Sequence, residues 1–221
     1  MIFYNHDREV ITDLISYIPK SCFIMTQLGL PLPKNASEIR DAIKMELDKR
    51  SFEILDANSK VTGKDFLNKI WRMILSVPIG VAILTEDMKP STVSNIFYEI
   101  GVLNALGKET IVIKSADFII PSDLIRTEYI EFDKDFPTRF NKFLDTIFEL
   151  ADHYEIMAES LISNPNLAID YYRRAYLITG DKEYFERVKE LRDKNKFDTQ
   201  SLNFIQGFLS TEKRISKKRK K

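Results

Sequence analysis

Across residues 21–115, short apolar runs alternate with longer stretches in which apolar residues recur every three or four positions. That alternation is the mark of a parallel sheet whose strands are joined by crossover helices. Strands are predicted at Cys22–Gln27, Phe52–Asp56, Ile79–Thr85 and Thr110–Lys114, with a short fifth at Tyr129–Phe132 after the turn at Pro121-Ser122-Asp123-Leu124. Helices are predicted near Ala36–Lys49, Lys64–Ser76 and Ser94–Leu106, with amphipathic spacing such as Ile39, Ile43, Leu47 and Phe66, Ile70, Ile74. A further helix, from about Asn5 to Ile18 and stopped by Pro19, precedes the first strand. Five strands in this arrangement predict an α/β, flavodoxin-like parallel sheet flanked by helices.

After Phe136 the strand pattern ceases. Helices are predicted near 137–162, 166–178, 182–193 and 198–210, broken at Asn164-Pro165, Thr179-Gly180-Asp181 and Asn195. The small-and-aromatic alternation from Asn166 to Tyr176 is that of helix-hairpin repeats such as the tetratricopeptide type. One or two such units do not make a solenoid, so an all-helical appendage is expected, packing on the sheet domain or on another subunit. The domains read from the sequence are thus residues 1–136 (α/β, with the N-terminal helix), 137–211 (helical appendage) and 212–221 (basic, disordered tail).

Charge sharpens that last boundary. The chain of 221 residues has 33 basic and 33 acidic side chains, but Lys213 to Lys221 hold seven of the basic ones and no acid. Nucleic acid is expected to bind only through this tail, because the body offers no basic face interleaved with aromatics. No apolar run approaches the roughly 20 residues that cross a bilayer, and Met1 to Arg8 lack the pattern of a secretory signal. A cytoplasmic protein without a membrane association is expected. Cys22, the one cysteine, excludes an internal disulfide and sits in an apolar run that reads as buried strand. Neither a Walker A sequence nor a G-x-G-x-x-G is present, and His6 and His153 stand alone at opposite ends, so neither a phosphate-cradling glycine loop nor a metal site is expected.

Glu99 is the residue that asks for an explanation. On a helix, the positions three and four away are Asn95, Ile96, Val102 and Leu103, so the carboxylate projects from a mostly apolar stripe. A charge there needs a partner or a shifted pKa. Gly101, inside the same helix, reads as a point of close approach by backbone or ligand, and Gly107 as the residue that ends the helix. The alternative is an ordinary solvent-facing glutamate at the edge of the stripe.

In an open parallel sheet, ligands bind outside the carboxyl ends of the strands. Those ends deliver Thr26-Gln27-Leu28-Gly29, Asp56-Ala57-Asn58 and Thr85-Glu86-Asp87 to one rim, with Glu99 one to two helical turns away and Asn95 a turn before it. Asp56 and Glu99 are expected to face one cavity, with Asp56 as a second catalytic acid that orients a ribose hydroxyl or handles a proton, a part Asp87 could also take, although Asp56 also fits a turn-former after its strand. Candidate substrate-binding residues are Thr26, Gln27, Gly29, Asn58, Asp87 and Asn95. A carboxylate in such a pocket suits glycosidic-bond chemistry, in which departure of a base builds positive charge on the sugar ring. It can stabilise that state or trap it as an ester, and the helix N-terminus would favour its ionised form.

The segment from Asn95-Ile96-Phe97-Tyr98-Glu99-Ile100-Gly101 through Ala105-Leu106-Gly107-Lys108, followed by Thr110-Ile111-Val112-Ile113, resembles the motif of nucleoside 2-deoxyribosyltransferase-like proteins and of the related bacterial and archaeal TIR-like proteins. The preceding Gly63-Lys64-Asp65, Ile70-Trp71 and Ile79 to Thr85 are similar to the helix and strand that lead into that motif, and the likeness covers roughly residues 20–132. It implies a TIR-like sheet with Glu99 as the catalytic residue. It implies cleavage of the nicotinamide–ribose bond of NAD, to a linear or cyclised product and in an antiviral or signalling setting, or alternatively nucleoside 2-deoxyribosyl transfer or nucleotide sensing without catalysis. NAD would be substrate and no cofactor is implied. The first loop, Thr26 to Lys34, is long and proline-containing, unlike the short turn common among such proteins. The helical appendage favours the TIR-like setting, with homo-oligomer or partner-protein assembly through its helices.

Overall fold

The computed structural model describes residues 15–29, 31–57, 66–121 and 128–218, excluding the side chains of Phe66 and of 212–218. It divides into two compact units: one of residues 21–145, the other of 146–218 together with 15–20.

The first unit holds five strands, β1 (Ser21–Met25), β2 (Glu53–Asp56), β3 (Ile79–Leu84), β4 (Glu109–Lys114) and β5 (Tyr129–Glu131), in the order β2-β1-β3-β4-β5. Every pairing is parallel. This is the α/β flavodoxin-like order expected from the strand-helix alternation. The register sets Ile24 beside Asp56 on one side and Val81 on the other. Strands β1 and β3 are buried along their whole length, which is why both read as unbroken apolar runs rather than alternating ones. Cys22 is one of these buried residues, and burial pushes its thiol far up.

Three helices follow the first three strands' ends: α1 (Lys34–Lys49), α2 (Phe66–Ser76) and α3 (Pro90–Ala105). Right-handed crossovers place α1 on one face and α2 and α3 on the other. On the α1 side, the first turns of α4 (Phe136–Ser160) stack Phe136 on Phe140 at 5.4 Å and Phe140 on Phe143 at 6.1 Å. The buried Glu46 of α1 accepts hydrogen bonds from Lys49 and from Asn141 of α4, both at 2.7 Å, and these bonds hold its carboxyl below the ordinary range.

The helix carrying Glu99 begins earlier than the sequence pattern indicates, at Pro90 rather than Ser94. Proline is well placed at a first helical position, where its missing N–H has no helical partner to lose. At its other end Gly107, at φ 63°, donates its N–H to Asn104 O, while Lys108 N–H bonds Leu103 O. This is a Schellman closure, with glycine where the backbone turns left-handed, as predicted. Ile96, Ile100 and Leu103 bury this helix against the sheet, each stabilising by about 1.5–3 kcal/mol. The close approach is at Gly80 of β3, where a Cβ would lie 2.5 Å from Leu103 Cδ1. Gly101, expected to mark such an approach, is exposed, and apart from its own helix backbone no atom of the described residues lies within 4 Å of where its Cβ would stand.

The helical unit comprises the rest of α4, α5 (Pro165–Thr179), α6 (Glu183–Lys194) and α7 (Thr199–Lys218). Its breaks fall where the sequence places them: Asn164 precedes Pro165, Gly180 closes α5 at φ 70°, and Asn195 ends α6. Three expectations fail. Ile15 to Ile18 are not helical, the rest of the proposed first helix lying outside the described residues, and Tyr17 is buried in the helical unit's core rather than belonging to a sheet domain of residues 1–136. The backbone of α7 also continues to Lys218, into the stretch read as a disordered tail from 212. Lysine and arginine are good helix formers, and cations suit a helix C-terminus. That unit's core also encloses a charge cluster in which Asp170 accepts from Arg173 at 2.6 Å and Arg174 at 3.0 Å, and the Arg173 guanidinium lies 5.1 Å from the Tyr17 ring centroid.

Among the described residues no helix is long and apolar enough to cross a membrane.

Candidate active site around Glu99

The strand order reverses at β1, which has β2 on one side and β3 on the other. In such sheets the crevice beyond the carboxyl ends of the two diverging strands is where ligands sit. Here that crevice contains a cavity of about 150 Å³, built by three elements. The loop after β1 supplies Thr26 and Leu28, α2 supplies Leu67 and Ile70, and α3 supplies Thr92, Asn95, Ile96, Tyr98 and Glu99.

The α3 contribution follows from helix geometry. Thr92, Asn95, Ile96 and Glu99 are spaced three, one and three apart, so with the helix starting at Pro90 they share one face. Leu67 and Ile70 are similarly one turn apart on α2. Ile70 and Ile96 are buried at the cavity floor, whereas Leu67, Asn95 and Tyr98 are exposed around it.

Glu99 is half-buried, and no described residue gives it a hydrogen bond or an ion pair. Burial alone pushes its carboxyl up to about 7. The helix terminus does not counter this, contrary to expectation, because Glu99 sits more than two turns beyond Pro90 and the dipole acts over the first turn. Near neutrality both protonation states of Glu99 are therefore populated. Thr26 is nine-tenths buried, and its Oγ1 has no hydrogen-bond partner among the described residues. Two residues whose polar groups have no hydrogen-bond partner among the described residues thus line one small, largely apolar cavity.

No family model matches this chain, and no curated protein is significantly similar to it. The site must therefore be judged by its own geometry.

Of the residues expected here, Glu99, Thr26 and Asn95 line the cavity together. Asp56 does not: its buried carboxylate accepts from Arg40 of α1 at 2.5 Å, because β2 is the strand beyond β1 and α1 covers the opposite face of the sheet. Gln27 and Gly29 belong to the β1 loop without lining the cavity, Gly29 taking φ 93° at the turn. Asp87 is exposed and accepts from Thr85 Oγ1 at 2.5 Å, closing the turn after β3. Its neighbour Glu86 accepts from Ser115 Oγ and from Asn35 Nδ2, and these bonds hold its carboxyl low. The rim beyond β3 and β4 is thus occupied by its own hydrogen bonds. Asn58 lies outside the described residues. Among the described residues no group of His, Cys, Asp and Glu is arranged to hold a metal ion.

The residues that sequence reasoning did not assign to the site are Leu28, Leu67, Ile70, Thr92, Ile96 and Tyr98. Thr92 was within reach: a helix start at Pro90 puts it one turn before Asn95.

Proposed function

We propose that this protein is an N-glycosidase that cleaves the bond between ribose and base in NAD or a related nucleotide, with Glu99 as the group that meets the sugar. The observation that carries the reading is a half-buried glutamate, without a hydrogen-bond or ion-pair partner among the described residues, in a cavity at the switch point of a flavodoxin-like sheet. A carboxylate so placed is destabilised in the free protein and stabilised as positive charge develops beside it. Such an interaction, stronger in the transition state than before it, is what accelerates a reaction.

In the proposed step the C1′–N bond breaks with its electron pair leaving on the base. Positive charge accumulates on the ribose ring. The ionised Glu99 carboxylate either stabilises that charge until water adds at C1′ or bonds C1′ as an ester, which water then hydrolyses. A cationic leaving ring such as nicotinamide also draws the Glu99 carboxyl down from about 7, so that substrate itself favours the ionised form. Asp56, tied to Arg40, has no part in this scheme. Asn95 at the cavity mouth is placed to hold ribose hydroxyls.

The test is incubation with NAD and with deoxynucleosides over a range of protein concentrations, since the family resemblance implies assembly. Base release by the wild type, lost by a factor of about 10² or more in Glu99→Gln, is expected. Its kcat/KM should rise with pH through about 7, as Glu99 ionises in the free enzyme. Release from deoxynucleosides alone would select the transferase-like alternative, and tight binding of NAD with no product would select a sensing module. Undiminished turnover by Glu99→Gln overturns the reading.

A further inference from the structure

The seven cations between Lys213 and Lys221 have no part in the site around Glu99, and without them the rest of the chain would be about seven charges negative. Helix α7 carries the start of this stretch, its backbone running helical from Thr199 through Lys218. Its earlier turns bury Ile205, Phe208 and Leu209 in the helical unit's core and leave Asn203 and Gln206 exposed, with Ser210 half-buried. The register continues past the core. Positions 203, 206, 210, 213 and 217 recur at spacings of three and four, so Lys213 and Lys217 fall on the face that the preceding turns give to solvent, with Arg214 and Lys218 beside them. On an α-helix these four positions span an arc of about 140°. The positions in register with Ile205 and Phe208 are Glu212 and Ile215, neither of them a cation.

We propose that this basic face of α7 binds double-stranded DNA through its phosphates, without reading sequence. The complement of so dense a cluster of cations is a dense array of anions, and duplex DNA carries one charge per about 1.7 Å of its axis. Shape selects among polyanions. A helix with cations over a broad arc suits the major groove of B-DNA, which admits an α-helix between two rows of phosphates, whereas the major groove of duplex RNA is too deep and narrow. Single strands are held by stacking their bases on aromatic rings, and residues 209–221 contain none. Stable attachment to a bilayer surface takes an apolar helix face beside the charge, and on α7 Ile205, Phe208 and Leu209 are already buried in the core. Contacts to phosphates fix a protein on the duplex but carry no sequence information. The proposal is independent of the reading of Glu99.

The test titrates the full chain into fluorescein-labelled DNA duplexes of two unrelated sequences and reads fluorescence anisotropy. Both duplexes should bind alike, with affinity falling about 10²–10⁴-fold between 50 and 200 mM salt, as release of the counterions of four to seven phosphates requires. Deleting residues 213–221 should abolish binding. The deletion keeps Ile205, Phe208 and Leu209, so an unchanged melting temperature serves as its folding control. A second variant, Lys213→Ser with Arg214→Ile, Ile215→Arg and Ser216→Lys, preserves composition and charge but spreads the cations around the helix, and should weaken binding about tenfold. Binding that survives the deletion, or that the rearranged variant retains in full, overturns the proposal. Equal or tighter binding of a duplex RNA of the same length overturns the assignment to DNA. Failure to bind either DNA duplex overturns it as well, and retention on phosphatidylserine vesicles would then assign the stretch to a membrane surface.

Discussion

Replacing Glu99 by glutamine should make the sheet unit more stable, and by an amount that grows with pH. In the unfolded chain this carboxyl titrates near its ordinary 4.5, whereas in the folded protein burial raises it to about 7. Between those values the native state holds a proton that the unfolded state has released. Stability is therefore greatest below the unfolded value and falls as pH rises to the folded one. Each tenfold change in proton affinity corresponds to about 1.4 kcal/mol, so the full shift sets a ceiling of about 3 kcal/mol. Solvent reaches a half-buried carboxyl and screens it, which brings the expectation to about 1–2 kcal/mol. Glutamine has no such titration. The advantage of Glu99→Gln over wild type should thus widen by about 1–2 kcal/mol between pH 5 and pH 8. Trp71, the single tryptophan, lies on α2 in the sheet unit, so urea unfolding followed by its fluorescence reports that unit. A stability difference that stays level across this pH range would refute the argument, and would mean that a group beyond the described residues meets Glu99.

Asp170→Asn leaves the buried Arg173 without its carboxylate, and a loss of about 3–5 kcal/mol is expected, read by chemical denaturation followed by far-UV circular dichroism. Burial alone would raise the Asp170 carboxyl, but Arg173 and Arg174 outweigh it and hold it low, so their contribution should fade only at strongly acid pH. Gly101→Ala meets open space on a helix and should stabilise by about 0.5–1 kcal/mol in the Trp71 assay. Gly80→Ala puts a methyl 2.5 Å from Leu103 Cδ1 and should cost about 1–3 kcal/mol, a cost that pairing it with Leu103→Ala makes less than additive.

The strands could be read because a central parallel strand is buried on both faces, so Ile79–Leu84 appears as an uninterrupted apolar run. Helix ends were harder. Pro90-Ser91-Thr92 has the composition of a loop, yet proline costs nothing at a helix's first position, and the missed turn concealed Thr92. Placing Thr26 and Glu99 at one site required only the rule that ligands gather where strand order reverses. That rule identifies a rim and not a face, which is why Asp56 could be misplaced: Arg40 on α1 holds it. Leu67 and Tyr98 carry no signal of their own, since an exposed apolar residue means something only when others converge on the same cavity. Gly101 misled for a related reason, because a helix glycine with nothing near it has the same spelling as one against a neighbour.

Thr26 and Glu99 meet only because β1 pairs with β3, strands between which the chain must first make α1, β2 and α2. Contacts between such distant segments form slowly, after the cost of closing a long loop. On a growing chain β1 is complete early but acquires its neighbour only when β3 emerges, and the helix bearing Glu99 comes later still. Completion of the cavity is accordingly a late event in this protein's folding, and a peptide spanning the Glu99 motif alone contains the carboxyl without the cavity that surrounds it.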